Sequence, residues 1–289
     1  MTHTKRVLIV DDMHEDILSL LSEQGYEPVY LPVIDRAGIL DIIDGFEGLI
    51  IRSKTTVNQE LVDRGTNLRF VARAGAGMDK VDQDYLNSKG IIAINAPEGN
   101  RDALGEHVLG MLLSLLHRIP AGHQEVKQHI WDREGNRGIE LKGKVVGIYG
   151  VGNMGISFAE KMQGLGCEVI GYDKFKTDFE TSLVRKVTLE EFMEHTEILS
   201  LHIPLYEETH KLFDQNYLRK FKRLKIVLNT SRGEVLDTAG LVQLLEDGTL
   251  YGAGLDVLEN EKLAKYSDEE KHQLEQLTYF ELPTKVWLA

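Results

Sequence analysis

The sequence predicts an α/β protein of two doubly wound parallel-sheet domains, and three observations carry the prediction. Short aliphatic and β-branched runs alternate with longer helical patterns along most of the 289 residues, as strands joined by helical crossovers do. A glycine-rich turn separates one such run from the helix after it. The length also exceeds what one core of ordinary size needs, and it fits two.

In the first part the candidate strands are 7–10, 48–52, 70–73 and 91–95, giving a first domain at 1–97. The pattern at 102–116 is apolar around nearly its whole circumference, which predicts a helix needing cover on every side. A second series of strands follows at 145–149, 168–172, 198–203, 226–229 and 252–257. Helices are expected from Met154, at 215–221 and at 238–246, with another opened by Thr188 and Glu191 in a capping-box pattern. These elements make a second domain at 98–282. The charged stretch 260–276 reads as a solvated connection, and the chain stops soon after Pro283.

Composition narrows the chemistry. With 42% hydrophobic and 27% charged residues, 27 Gly and 6 Pro, the chain matches neither collagen-like nor disordered classes. The 33 basic residues against 46 acidic ones leave a net charge of −13, which opposes nucleic acid or an anionic membrane as the main partner. An anionic substrate must therefore be held by local basic residues. A single cysteine, Cys167, permits neither an internal disulfide nor a multi-thiolate metal site, and nothing resembles a signal peptide. The longest apolar run, 108–116, is about half the ~18 residues that suggest a membrane span. No metal, no membrane and a cytoplasmic location are the expectations.

Gly150-Val151-Gly152-Asn153-Met154-Gly155 lies between the strand 145–149 and a helix, the context in which G-x-G-x-x-G binds a dinucleotide. Gly150 allows the tight turn, Gly152 lets a pyrophosphate approach the backbone, and Gly155 permits close helix packing. The phosphates would rest on the amides at the helix start, with Asn153 and Met154 among them. Asp173 closes the next strand, 18 residues after Gly155, near the ~20-residue spacing of a carboxylate that binds the adenine ribose. The domain is thus Rossmann-like and the cofactor NAD rather than NADP, with Lys174 next door as the residue able to soften that choice.

Seven stretches together resemble the D-2-hydroxyacid dehydrogenase family, and within it the D-3-phosphoglycerate dehydrogenases. They are IIRSKT (50–55), RAGAGMDKVD (73–82), NAPEGN (95–100), ELKGKVVGIYGVGNMG (140–155), LSLHIPLYEETH (199–210), LNTSRGEVLD (228–237) and AGLDVLENE (253–261). The resemblance implies two Rossmann-like domains, the NAD domain inserted after the substrate domain, with the chain finally crossing back, so that 283–289 stands as a truncated return segment. Arg232 would bind the substrate's carboxylate and carbonyl oxygen, and Glu261 would polarise a catalytic histidine, with Glu259 as its near neighbour. His202, Pro204, Thr209, Thr230 and Asp256 match further cofactor positions, Asp256 as acceptor for the nicotinamide carboxamide. Ala76 and Gly77 would present amides to the substrate carboxylate, while Arg52, Ser53 and Asn100 match positions that recognise a distal phosphate. Lys54, Trp131 and Arg133 could add contacts. The implied activity is NAD-dependent hydride transfer on a small anionic 2-hydroxy or 2-keto acid, by a homodimer joined through the NAD-binding domain.

One part of the family pattern is missing. The catalytic histidine of relatives stands in a Pro-His pair at the return crossover. The corresponding stretch here reads ELPTKVWLA, with Thr284 and Lys285 after Pro283, and only His272 lies beyond Glu261. Three readings therefore stay open: an enzyme whose sequence lacks its end, a catalytically impaired NAD-sensing protein, and an active enzyme using another proton donor such as Lys285 or a water. Glyoxylate or hydroxypyruvate is the alternative substrate.

Overall fold

A computed structural model of the chain describes residues 5–179, 181–265, 267–272 and 286–288. The chain divides into two compact units, Met1–Asn100 and Arg101–Ala289. The first runs β1 (Lys5–Ile9), α1 (Asp16–Glu23), β2 (Tyr26–Tyr30), α2 (Arg36–Ile42), β3 (Gly48–Ile51), α3 (Gln59–Arg64), β4 (Phe70–Arg73), α4 (Gln83–Ser88) and β5 (Ile92–Asn95). Its strands are parallel and ordered β2-β1-β3-β4-β5, so the winding reverses between β1 and β3. Asp35, Asn58 and Asp82 start α2, α3 and α4 by accepting the amides of Gly38, Leu61 and Tyr85, which satisfies donors the helices leave open.

β2 is absent from the sequence expectation because Pro28 interrupts its run. As an edge strand it tolerates the missing N–H. β1, β3 and β5 differ from the expected spans by one or two residues at an end.

The second unit runs α5 (Arg101–Leu116), α6 (Ile119–Lys127), β6 (Val145–Tyr149), α7 (Asn153–Gly164), β7 (Glu168–Tyr172), β8 (Arg185–Lys186), α8 (Leu189–His195), β9 (Ile198–Leu201), α9 (Gln215–Leu218), β10 (Ile226–Asn229), α10 (Thr238–Glu246), β11 (Gly252–Leu255) and β12 (Val286–Leu288). The parallel order β12-β11-β10-β9-β6-β7-β8 puts the reversal between β6 and β9. β6, β9, β10 and β11 are buried along their whole length, as strands covered on both faces are. β9 and β11 stop two residues short of the expected ends because His202 and Asp256 already belong to the outgoing loops. β8 and β12 are too short for a periodic signal. α6 was hidden by Pro120, which sits in its first turn, where a missing N–H costs nothing.

One face of this sheet packs on α5 and α7 through Val108, Leu112, Leu115, Phe158 and Met162. The other holds an aromatic cluster around Phe192. Among the described residues no helix is long and apolar enough to cross a membrane, and no group of His, Cys, Asp or Glu could hold a metal. Pro283, Thr284 and Lys285 lie outside the described residues, as do 273–276 of the expected connection.

Phe192 is fully buried, with its ring centroid 5.9 Å from Tyr149, 6.2 Å from Tyr172 and 6.0 Å from Phe221. Phe192→Ala should lower the unfolding free energy by about 3–5 kcal/mol, read from the denaturant midpoint of the second unit's transition. A loss below about 1 kcal/mol, the range of ordinary substitutions, would show that this cluster is not the unit's core.

Candidate functional site

A cleft of about 430 Å³ opens at the reversal of the second sheet, and Gly150, Gly152, Asp173, His202, Pro204 and Thr209 all line it. Gly150 has φ +95°, and a Cβ there would stand 2.6 Å from the carbonyl oxygen of His202. A Cβ at Gly155 would stand 2.5 Å from the carbonyl oxygen of Gly150. A side chain at Gly150 would part the loops that follow β6 and β9, and one at Gly155 would push α7 away from the turn that leads into it. At Gly152 a Cβ would meet nothing within 4 Å, so the space above the turn is open. Gly152 caps α7 with no side-chain acceptor, which leaves the first amides, at Asn153 and Met154 among others, turned toward an anion site favoured by the helix dipole.

Asp173 is fixed by three amides. Its Oδ2 accepts from Val151 at 2.9 Å, and its Oδ1 from Phe175 at 3.0 Å and Lys176 at 2.8 Å. The carboxylate thus ties the glycine turn to the loop after β7. Lys174, the expected modifier of its charge, pairs with Glu208 across the cleft. The Thr209 hydroxyl donates to the Pro204 carbonyl at 2.8 Å and accepts from the Tyr206 amide at 2.7 Å, so it shapes the loop that carries Pro204. His202 Nε2 lies 2.8 Å from the Ser200 hydroxyl. Burial pushes its pKa down to about 4, leaving a neutral ring at physiological pH.

Thr230, Arg232 and Asp256 sit in the loops at the neighbouring ends of β10 and β11. Thr230 is buried and its hydroxyl has no partner among the described residues, which fits a group supplied by a ligand. Asn229 builds the turn: its Oδ1 accepts from the amide and hydroxyl of Ser231, and its Nδ2 donates to the Arg232 carbonyl at 3.0 Å. Arg232 Nη1 donates back to the Ser231 carbonyl at 2.6 Å. A Cβ at Gly233 would fall 1.8 Å from the carbonyl oxygen of Leu258, so this turn and the loop after β11 meet backbone to backbone. That contact brings Arg232 beside the Asp256–Glu261 stretch. Within it, Glu259 accepts the Thr238 amide and pairs with Lys211 at 3.1 Å. Glu259 is therefore committed to the start of α10, and Glu261 is left exposed. The Asp256 carboxylate lies 3.0 Å from His107 Nε2 on α5.

In the first unit, Arg52 and Ser53 follow β3, Ala76 and Gly77 follow β4, and Asn100 follows the turn after β5. These are carboxyl ends of parallel strands, where open α/β sheets hold ligands. Asp11, just past β1 and buried, accepts the amides of Arg52 at 2.6 Å and Lys54 at 3.1 Å. Arg73 Nε donates to the Arg52 carbonyl at 3.0 Å, and Lys80 Nζ to that of Ser53. The Arg52 and Ser53 side chains remain exposed. Asn95 Nδ2 holds the Ala76 carbonyl at 2.7 Å. The sequence reading missed Asp11, Arg73 and His107. The first two carried a signal, a charged side chain at or just past the end of an apolar strand.

Residues 109–279 match the family described as D-isomer specific 2-hydroxyacid dehydrogenase, NAD binding domain. The chain belongs to the D-2-hydroxyacid dehydrogenase family. It is 37% identical over 259 residues to D-3-phosphoglycerate dehydrogenase of Bacillus subtilis, covering 89% of this chain and 49% of that protein. It is 32% identical over 257 residues to hydroxypyruvate reductase of Thermotoga maritima, covering 89% and 83%. The chain spans about half the length of the phosphoglycerate dehydrogenases it matches. In fold it is similar to D-lactate dehydrogenase of Aquifex aeolicus, solved with NAD and lactic acid, with a TM-score of 0.80 at 22% identity over 98% of this chain and 87% of that one. The family resemblance, the two parallel-sheet domains and NAD as cofactor thus stand as expected from the sequence.

His202 gives the second unit a pH signature. Its folded pKa of about 4 lies below the ordinary value of 6.5, so between these values the unfolded chain binds a proton that the folded chain does not. Stability contributed by the neutral ring is whole above about pH 6.5 and falls toward pH 4, by about 2–3 kcal/mol given the ring's partial exposure in the cleft. Unfolding titrations at several pH values should show this slope in the native chain and a flatter one in His202→Asn. Equal slopes would show that His202 titrates normally.

Proposed function

We propose that the chain, with NAD bound, oxidises or reduces a small anionic 2-hydroxy or 2-keto acid, and that the favoured pair is 3-phosphoglycerate and 3-phosphohydroxypyruvate. The gathering of Gly150, Gly152, Asp173, His202, Pro204 and Thr209 around one cleft carries the reading. Bound NAD supplies the hydride donor or acceptor. The remaining work is binding, orientation and proton placement by the chain.

In this reading the amides at the start of α7 take the pyrophosphate and Asp173 takes the adenine ribose hydroxyls. Thr230 and Asp256 face the nicotinamide side. Arg232, its fork oriented by Ser231, receives the substrate's carboxylate and carbonyl oxygen, where a charged bidentate donor is strongest. Glu261 is the acid available to polarise a proton-transferring group. Ala76 and Gly77 present amides to the substrate carboxylate, and Arg52, Ser53 and Asn100 receive the distal anion. Relatives named D-3-phosphoglycerate dehydrogenase, at 30% to 37% identity, support the phosphorylated substrate. The Thermotoga relative supports hydroxypyruvate as the second reading.

A homodimer through the second unit is supported by the apolar residues that α6 and the segment after it expose. Ile119 is 57% exposed, Val126 55%, Ile130 48% and Trp131 84%, a cluster of the kind that marks an interaction surface. A cytoplasmic location is supported by the single cysteine.

NAD(H) should bind at least about tenfold more tightly than NADP(H), a difference of about 1.4 kcal/mol, because a 2′-phosphate would meet the Asp173 carboxylate. Calorimetric titration checks this, and Asp173→Asn should narrow the gap. Equal affinities in the native chain would overturn the assignment of Asp173.

Thermal protection by a saturating ligand tests the substrate, with about 2.7 kcal/mol expected at 100 times the dissociation constant. 3-Phosphoglycerate should protect more than lactate, and Arg52→Ala should remove the difference. Stronger protection by hydroxypyruvate or glyoxylate would favour the second reading.

A further inference from the structure

We infer that His107, on α5, is a positioning residue for Asp256: it holds that carboxylate in the orientation needed to accept the nicotinamide carboxamide. The inference rests on the NAD reading above and adds a residue to it.

The geometry begins with how α5 crosses β11. Met111 Cβ lies 3.6 Å from where a Cβ on Gly254 would stand, so that part of the helix lies directly over the strand. His107 is one turn before Met111, and Asp256 is two residues beyond Gly254 on the same side of the chain. Four helical residues advance about 6 Å and two strand residues about 6.6 Å. An antiparallel crossing therefore delivers His107 to Asp256 as it delivers Met111 to Gly254. The observed contact agrees, with His107 Nε2 3.0 Å from Asp256 Oδ1.

The chemistry of the pair follows from its donor set. An ionised carboxylate only accepts hydrogen bonds, so Nε2 is the donor. Asp256 has left the strand ladder, and among the described residues its backbone is held by the bond from its amide to the Asn229 carbonyl at 3.0 Å. Its side chain would otherwise rotate freely in the loop. A donor mounted on a 16-residue helix removes that freedom and commits Oδ1, leaving Oδ2 to accept from a ligand. Both side chains are partly open to solvent, 45% for His107 and 34% for Asp256, so a ligand group can reach the pair without displacing the helix.

The test compares NAD with ADP-ribose, which lacks the nicotinamide, by calorimetric titration of the full chain. His107→Leu removes the donor, and His107→Gln keeps an N–H donor on a side chain of similar reach. His107→Leu should weaken NAD binding about 3- to 10-fold, the scale of one hydrogen bond, and leave ADP-ribose binding within about twofold. His107→Gln should recover most of the loss. An unchanged ratio of the two affinities in His107→Leu would overturn the inference. So would an equal fall for both ligands, which would mean His107 serves only the packing of α5. NAD binding no tighter than ADP-ribose in the native chain would show that Asp256 makes no contact with nicotinamide, again overturning it. Failure of the native chain to bind ADP-ribose would instead overturn the NAD reading on which His107 depends.

Discussion

The second unit depends on how closely its strand-end loops approach one another. At Gly150, Gly155 and Gly233 an added Cβ would fall within 2.6 Å of a neighbouring backbone oxygen, nearer than any real side chain tolerates. The loops after β6 and β9 meet at Gly150, α7 meets its own incoming turn at Gly155, and the loops after β10 and β11 meet at Gly233. Each approach replaces side-chain bulk with backbone, so polar amides and carbonyls gather where a helix-capped sheet would otherwise present apolar residues. The cleft, the exposed amides of α7 and the seat of Arg232 all follow from this spacing. Hydrogen bonds then fix what the spacing allows: Asp173 ties the glycine turn to the loop after β7, and Asn229 closes the turn before Arg232.

Electrostatics works against the overall charge. A chain at −13 repels small anions over distances comparable to a Debye length, so recognition of the anion proposed above would rest on cations placed at contact range. In the first unit the loop after β3 carries Arg52 and Lys54, the side chains of Arg73 and Lys80 donate to its carbonyls, and buried Asp11 pins it by two backbone amides. Asp11 thus sets where the chain goes, while the cations set what it attracts. Arg73 and Lys80 spend donors on backbone carbonyls of the same loop. Arg52 and Ser53 keep their side chains exposed, which suits them to the distal anion of the substrate proposed above.

The fold was legible where period and punctuation agreed. β6, β7, β10 and α10 have the spans their sequence patterns predict, since each is a continuous apolar run or amphipathic stretch bounded by turn residues. β2 was illegible because Pro28 argues against a strand and only edge position rescues it. In the site, the glycine turn and Asp173 could be read because their spacing is short and local. His107 could not, since its partner Asp256 lies 149 residues away and nothing in the sequence shows that α5 crosses β11 at Gly254. Glu259 and Glu261 were indistinguishable by chemistry. They separate only when Lys211 and the Thr238 amide claim the first.

That separation bears on where a proton can travel in the second unit. His202 lines the cleft, yet its Nε2 is tied to Ser200 and burial holds the ring neutral. A neutral imidazole with that nitrogen turned toward the sheet cannot deliver a proton outward through it. His107 donates through Nε2 to Asp256, which makes it a support for a carboxylate rather than a shuttle to a substrate oxygen. His202 and His107 thus each commit Nε2 to a neighbouring side chain. On the same reading Arg232, its fork oriented by the Ser231 carbonyl, would stabilise negative charge on a substrate oxygen. On the reading proposed above, the strand ends of the second unit would therefore serve to bind and polarise, and Nε2 of His202 or of His107 would not be the route of the proton that accompanies hydride transfer.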